Sequence, residues 1–374
     1  MNNPDTTAVH AHKRFRETPV FGSLDGLRCL SILAVIWHHT GGHSFDIALS
    51  SHGRHGVTLF FAISGFLITT LLLREQDKLG YFSLKKFYAR RSLRIFPLYY
   101  SVLLLYIIGV LITDQGEEYE QQFWSNLPAF ATYTTNWFVT LDSDRVIFYF
   151  AWSLATEEQF YLTWPWIQKH LRSWGPVIFM STLLAVMFLL SHGLLELQEG
   201  PLLTVLKSLM PGLCLGAILA NLLHYKTTFD VIYRGFGNKF SSLLWLALFI
   251  GYLTNHDTNE WLVHTLGALL VCSCVVREDH CLKSVFQCRP VAWIGMISYG
   301  MYMLHMLCKN GYDLLVPAPH AANISAAVGL HPAIMQFIGT TLITVFVASL
   351  SFKYFESFFL RLKAKYDTVS KDPR

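Results

Sequence analysis

A few ionisable and hydroxyl side chains lie where the chain is otherwise apolar, and their spacing limits the chemistry they can do. Arg28 and His39 share one apolar run that begins at Leu24 and ends at Thr40. Eleven residues apart on a helix, they point in nearly the same direction, about 16 Å apart along the axis. One helix face thus carries a fixed cation at one end and a titratable base at the other. His38 points about 100° away and reads as structural. A plainer reading pairs Arg28 with Asp25, three residues earlier, and leaves His39 as an interfacial cap. Glu157 and Glu158 are adjacent in the run from Trp152 to Tyr161. Two neighbouring acids in apolar surroundings must be paired, protonated or wet. His305 closes the run from Ser298. Acids and histidines of this kind serve general acid–base chemistry, such as deprotonating a hydroxyl.

Other residues could bind rather than react. Arg91 and Arg94, three apart, share a helix face in the geometry that grips phosphates. Basic residues flanking a membrane span look the same. Ser64, beside Gly65, allows close approach of a neighbouring helix or a substrate. Ser64, Trp152 and Tyr302 are candidate substrate contacts, with helix packing as the alternative. No metal is expected. The histidines from His38 to His55, with Asp46, match no ligand signature. Cys272, Cys274, Cys281 and Cys288 with His280 lack paired C-x-x-C spacing, and Cys272 and Cys274 fall in an apolar helix. Seven cysteines, an odd number, do not form a disulfide framework.

The elements that position these residues are predicted to be membrane helices. Of 374 residues 53% are hydrophobic and 14% charged, against about a quarter charged in soluble domains. The apolar residues come in blocks, the pattern of an all-α, polytopic protein surrounded by membrane lipids. Ten blocks approach the roughly 20 residues that a bilayer demands: 23–42, 56–74, 92–113, 147–168, 175–193, 201–223, 240–255, 258–276, 291–311 and 333–355. They bound a transmembrane domain over 23–355, with tails at 1–22 and 356–374. With these spans, 24 of the 29 Lys and Arg fall on one side and four on the other. That asymmetry places both termini in the cytoplasm. The polar start, with Lys13, Arg14 and Arg16, is not a cleavable signal, so the first span is expected to stay as an anchor. A net charge of +4 gives no reason to expect a nucleic-acid partner.

Five segments, in order and spread over nearly the whole chain, resemble the acyltransferase 3 family. Its arginine-ten residues-histidine signature matches Arg28 to His39. Its SGF segment matches Ser64 to Phe66, and its arginine pair before Ile-x-Pro matches Arg91, Arg94 and Pro97. WS-x-x-x-EEQFY matches Trp152 to Tyr161, and ISY-x-x-Y-x-x-H matches Ile297 to His305. The family often closes with Arg-Pro after its final glutamate. Here Glu356 is followed by Ser357 and Phe358, and no additional extracytoplasmic hydrolase-like domain is expected.

The resemblance implies a membrane O-acyltransferase, in a bacterial inner membrane. The acyl donor is on the cytoplasmic side, usually acetyl-CoA, and the acceptor is a hydroxyl, often on a carbohydrate or glycolipid. Arg91 and Arg94, with Arg28, would hold the donor's phosphates. His39 would be the general base, and Glu157 or Glu158 would orient and stabilise its imidazole. His305 joins them as a catalytic candidate. An acyl-histidine intermediate is an open variant. The competing reading is a transporter of a small polar or acylated molecule without covalent chemistry. No matching pair of interrupted helices marks an inverted repeat. A receptor-like protein that has lost catalysis is a third reading.

Overall fold

The computed structural model describes residues 4–41, 44, 48–113, 116–140, 146–171, 173–317, 320, 323–325, 327 and 329–367. Among them the secondary structure is helical throughout, with no strands. His43 and Asp46 of the histidine group, and Arg145, Arg172, Lys371 and Arg374, which belong to the Lys and Arg counted for orientation, lie outside the described residues.

The first half contains α1 (Pro4–Glu17), α2 (Gly22–Thr40), α3 (Ala48–Ser51), α4 (His55–Leu79) and α5 (Leu84–Ile112). Then come α6 (Glu117–Ala131), α7 (Thr135–Phe138), α8 (Ala151–His170) and α9 (Gly175–Ser191). The second half contains α10 (Pro201–Ser208), α11 (Pro211–His224), α12 (Lys226–Phe236), α13 (Ser241–Tyr252) and α14 (Glu260–Val276). It closes with α15 (Lys283–Phe286), α16 (Arg289–Met296), α17 (Ser298–Leu315), α18 (Pro332–Ser351) and α19 (Ser357–Ala364).

Among the described residues, three helices are each long and apolar enough to cross a membrane: Leu49–Leu79, Leu84–Ile112 and Pro332–Ala364. Three bent pairs raise the number to six if each is one span: α1 with α2 at 65°, α10 with α11 at 67°, and α16 with α17 at 76°. α9, α13 and α14 are apolar but shorter. Hydropathy alone pointed to ten spans; helix length and composition support three to six. Local chemistry accounts for the difference. Pro201 and Pro211 each start a new helix inside the 201–223 block. The 291–311 block bends at Ile297. In the 147–168 block Phe148 takes φ 64° and the helix begins only at Ala151. α8 then carries Glu157 and Glu158, which lower its hydropathy.

The described parts of the segments expected as tails, 4–22 and 356–367, are largely helical and packed on the rest of the chain. Phe15 of α1 is buried against Phe229 and Phe66. Arg74 hydrogen-bonds the Phe15 and Thr18 carbonyls at 2.8 and 2.7 Å. At the other end α19 packs on α5.

α2, α4 and α11 form the centre. Side chains at Gly65 and Gly216 would overlap the backbone of the partner helix, at Leu213 and at Ala62 respectively. Reciprocal glycines therefore let α4 and α11 touch backbone to backbone. The SGF segment thus serves helix contact through its glycine, while Ser64 turns to a cavity. An aromatic cluster of Tyr99, Tyr133, Phe130, Phe148 and Phe150 joins α5, α6 and the start of α8. Tyr99 and Tyr133 stack with centroids 4.2 Å apart.

Candidate functional site

A cavity of about 300 Å³ opens among α2, α4, α5, α8, α17 and the C-terminal segment. This is within the usual range for ligand pockets. Arg28, Ser64, Arg91, Arg94, Glu157 and Tyr302, candidates separated by up to 274 positions in the chain, all line it. Trp152 does not; it packs against Phe61 with ring centroids 6.1 Å apart.

One end of the cavity is rich in arginine. Arg28 forms an ion pair with Asp25 at 3.1 Å, the plainer pairing, and still faces the cavity. Arg90 is neutralised by Glu75 at 2.7 Å. Arg91 lies over the rings of Phe87 and Tyr161, 5.8 and 5.6 Å from their centroids. Neither Arg91 nor Arg94 forms a salt bridge with a carboxylate among the described residues. Two neighbouring guanidinium groups, lacking such partners and facing a cavity, favour an anion there.

The other end is lined by hydroxyls. The Tyr302 and Ser153 hydroxyls are 2.6 Å apart, and Tyr302 also donates to the Phe150 carbonyl at 3.2 Å. Behind Tyr302 lie two imidazoles. The Tyr302 ring is 5.5 Å from that of His305, and His305 is 5.2 Å from His39. His305 Nδ1 is 2.6 Å from the Tyr302 carbonyl and donates to it, which leaves Nε2 as the lone-pair nitrogen. That Nε2 is buried, with no hydrogen-bond partner among the described residues. His39 itself does not line the cavity; it neighbours His305, which in turn neighbours the cavity-lining Tyr302.

The glutamates occupy places other than beside the imidazole. Glu157 faces the cavity and accepts from the Tyr161 hydroxyl at 2.6 Å. Glu158 Oε1 is buried without a hydrogen-bond partner among the described residues. No hydrogen bond joins either acid to His39 among the described residues. The Tyr149 hydroxyl occupies that position, 2.8 Å from Nδ1 and 3.1 Å from Nε2 of His39. Sequence reasoning missed Tyr149 because nothing distinguishes it within the aromatic run Val146 to Phe150. It also missed Ser153, Arg74, Arg90 and Lys363 in the cavity wall. Of these, only Ser153 falls inside a quoted motif.

One short segment arranges the hydroxyl-lined end. Phe148 adopts the left-handed φ of 64°, a strained conformation for a bulky residue. Its ring packs on Tyr99 and Phe130. The next residues turn the other way: Tyr149 to His39, Phe150 against His305 at 5.4 Å, and Ser153 to Tyr302.

The loop from Arg277 to Leu282 also contains titratable groups. His280 bridges Ser242 and Ser23 through its two nitrogens, both at 2.9 Å, and burial lowers its pKa to about 4. Burial raises the Glu278 carboxyl to about 7. Among the described residues, no group of three or more His, Cys, Asp or Glu side chains could hold a metal ion.

The family model described as "Acyltransferase domain" matches residues 21–352. The chain belongs to the acyltransferase 3 family. Among its relatives is "Peptidoglycan O-acetyltransferase OatA" of Listeria monocytogenes, 26% identical over 90% of this chain and 55% of that one. "Putative O-acetyltransferase SACOL0978" of Staphylococcus aureus (strain COL) is 25% identical over 94% of this chain and 59% of its own length. "Putative peptidoglycan O-acetyltransferase YrhL" of Bacillus subtilis (strain 168) is 25% identical over 89% and 54%. The chain spans a little over half the length of these acyltransferase 3 relatives. No solved structure matches it.

Proposed function

We propose that this protein is a membrane O-acetyltransferase. It moves an acetyl group from acyl-CoA on the cytoplasmic side to a hydroxyl of a carbohydrate acceptor, with peptidoglycan the acceptor class that the relatives' names favour. The observation that carries this reading is the polarity of the cavity. Arg91 and Arg94, which form no salt bridge with a carboxylate among the described residues, face one end, and the paired imidazoles of His39 and His305 lie beyond Tyr302 at the other.

In this reading the basic end is cytoplasmic, the ten apolar blocks over 23–355 lie in the bacterial inner membrane, and both termini are cytoplasmic. Arg91, Arg94 and Arg28 hold the donor's phosphates through charge-assisted bonds. The acyl arm then extends past Ser64 and Glu157 toward Tyr302. His39 takes the proton of the acceptor hydroxyl as its oxygen forms a bond to the thioester carbonyl carbon. The carbon–sulfur bond breaks as the tetrahedral intermediate collapses, and the thiolate leaving group receives the proton back from His39. Nothing is oxidised or reduced. In this reading the acyl arm passes the Tyr302 ring, which lines the cavity 5.5 Å from the ring of His305, to reach His39.

The test is mass spectrometry of surface glycans from the native host, comparing wild type, a deletion strain, and His39→Ala at equal protein level. Loss of an acetyl group in both mutants supports the reading. Loss in the deletion alone removes His39 from the chemistry. Unchanged glycans in both would favour a transporter without covalent chemistry.

A further inference from the structure

Four cavity-lining residues lie beyond the family match: Glu356, Leu360, Lys363 and Asp367. With Phe352 they recur at i, i+4, i+8, i+11 and i+15, the period of one helix face. α18 passes into this stretch through a π-helical turn, Phe352–Glu356, whose wider turn rotates the face that follows. The Ser351 hydroxyl donates to Glu356 Oε1 at 3.0 Å. The outer face is aromatic, with Tyr354 70% and Phe358 53% exposed.

Arg90 ties the segment down. Arg90 Nη1 donates to the Tyr366 carbonyl at 2.9 Å, and its Nε is 4.0 Å from Asp367. Nη2 of the same group donates to buried Glu75 at 2.7 Å, while the other Glu75 oxygen accepts from the Ser83 N–H at 3.1 Å. The ends of α4 and α5 and the C-terminal segment are thereby joined. The segment runs antiparallel to the start of α5, with Asp367 near Arg90 and Glu356 acting electrostatically on Arg94. Lys363 falls between them, about 10 Å along the helix from Glu356 toward the basic mouth. It is the lysine that this segment contributes to the cavity wall.

We propose that residues 353–367 form a wall of the donor site and that Lys363 binds a phosphate of the donor. This rests on the acyl-CoA reading above. Coenzyme A carries a pyrophosphate and a separate ribose phosphate, so one donor can engage two cationic stations. Arg91 with Arg94 is one station, and Lys363, nearer the mouth, is the other. A lysine serves here as a compact point charge.

The test is initial-rate kinetics of the full chain with acetyl-CoA and with acetyl-pantetheine, which lacks the nucleotide phosphates. Lys363→Ala is compared with Arg361→Ala, which removes the same charge from the exposed side of α19. Lys363→Ala is expected to raise KM for acetyl-CoA about tenfold, leave kcat within about twofold, and leave KM for acetyl-pantetheine unchanged. Arg361→Ala should match wild type. An unchanged KM for acetyl-CoA in Lys363→Ala overturns the proposal, and so does an equal rise with both donors. If wild type transfers nothing from acetyl-CoA, the donor reading itself fails, before any variant is compared.

Discussion

Replacing Tyr149 by Phe keeps the ring that packs beside His39 and deletes only the hydroxyl, 2.8 Å from Nδ1. In the proposed reaction His39 is neutral before transfer and cationic while it holds the acceptor's proton. The hydroxyl lies 2.8 Å from Nδ1 and 3.1 Å from Nε2; when it accepts from the ring N–H, the other nitrogen keeps the lone pair that would take the acceptor's proton. The bond then becomes charge-assisted as the imidazolium forms. A neutral hydrogen bond is worth about 1 kcal/mol and a charge-assisted one about 1.5–3. The loss therefore falls mostly on the transition state, and kcat is expected to drop between about 10- and 100-fold. KM for acetyl-CoA should move less than about threefold, because Tyr149 is not part of the cavity wall. The assay is initial-rate transfer to a carbohydrate acceptor by purified protein, with melting temperature confirming that folding is intact. A kcat within about twofold of wild type would refute the assignment of Tyr149 as a positioning residue. A rise confined to KM would place the hydroxyl in donor binding instead.

Three further outcomes are expected. Arg91→Ala and Arg94→Ala should each raise KM for acetyl-CoA about tenfold or more, with a smaller effect on kcat, as read by initial rates or binding of the free coenzyme. Gly216→Val forces a side chain into the backbone of α4 at Ala62 and Phe66. It should cost about 1–3 kcal/mol, seen as a lower melting temperature of the solubilised protein. For Glu278, the folded carboxyl at about 7 lies above its ordinary 4.5, so the folded state binds the proton more tightly. Stability therefore falls as pH rises from about 4.5 to about 7 and stays reduced above that. Glu278→Gln should restore about 1–2 kcal/mol at pH 8, discounted for partial exposure, and change little at pH 4.

What was legible in the sequence followed from local rules. Long apolar blocks specify helices whatever surrounds them, and a fixed period of 3.6 residues places Arg28 and His39 on one face. The short spacing of Arg91 and Arg94 likewise put both guanidinium groups on one helix face, and both line the cavity in the structure. Family membership was legible for the same reason, because its motifs are short and ordered along the chain.

The rest depends on contacts between distant segments. Asp25 and Arg28 are three residues apart and could be paired from the sequence; Tyr149 and His39 are 110 positions apart and could not. The acids at 157 and 158 looked like partners for the imidazole because a triad needs a third group. The strained turn at Phe148 instead delivers a phenol there and leaves Glu157 to Tyr161. Helix ends were equally hidden, since prolines and backbone bends divide blocks whose average hydropathy is continuous. Nor could composition show that the C-terminal stretch, read as a tail, folds back onto α5. That is decided by Arg90, whose single guanidinium bonds Glu75 and the Tyr366 carbonyl, groups far apart in the chain. A sequence determines which faces are apolar and which charges lie along them; only packing decides which of those charges meet.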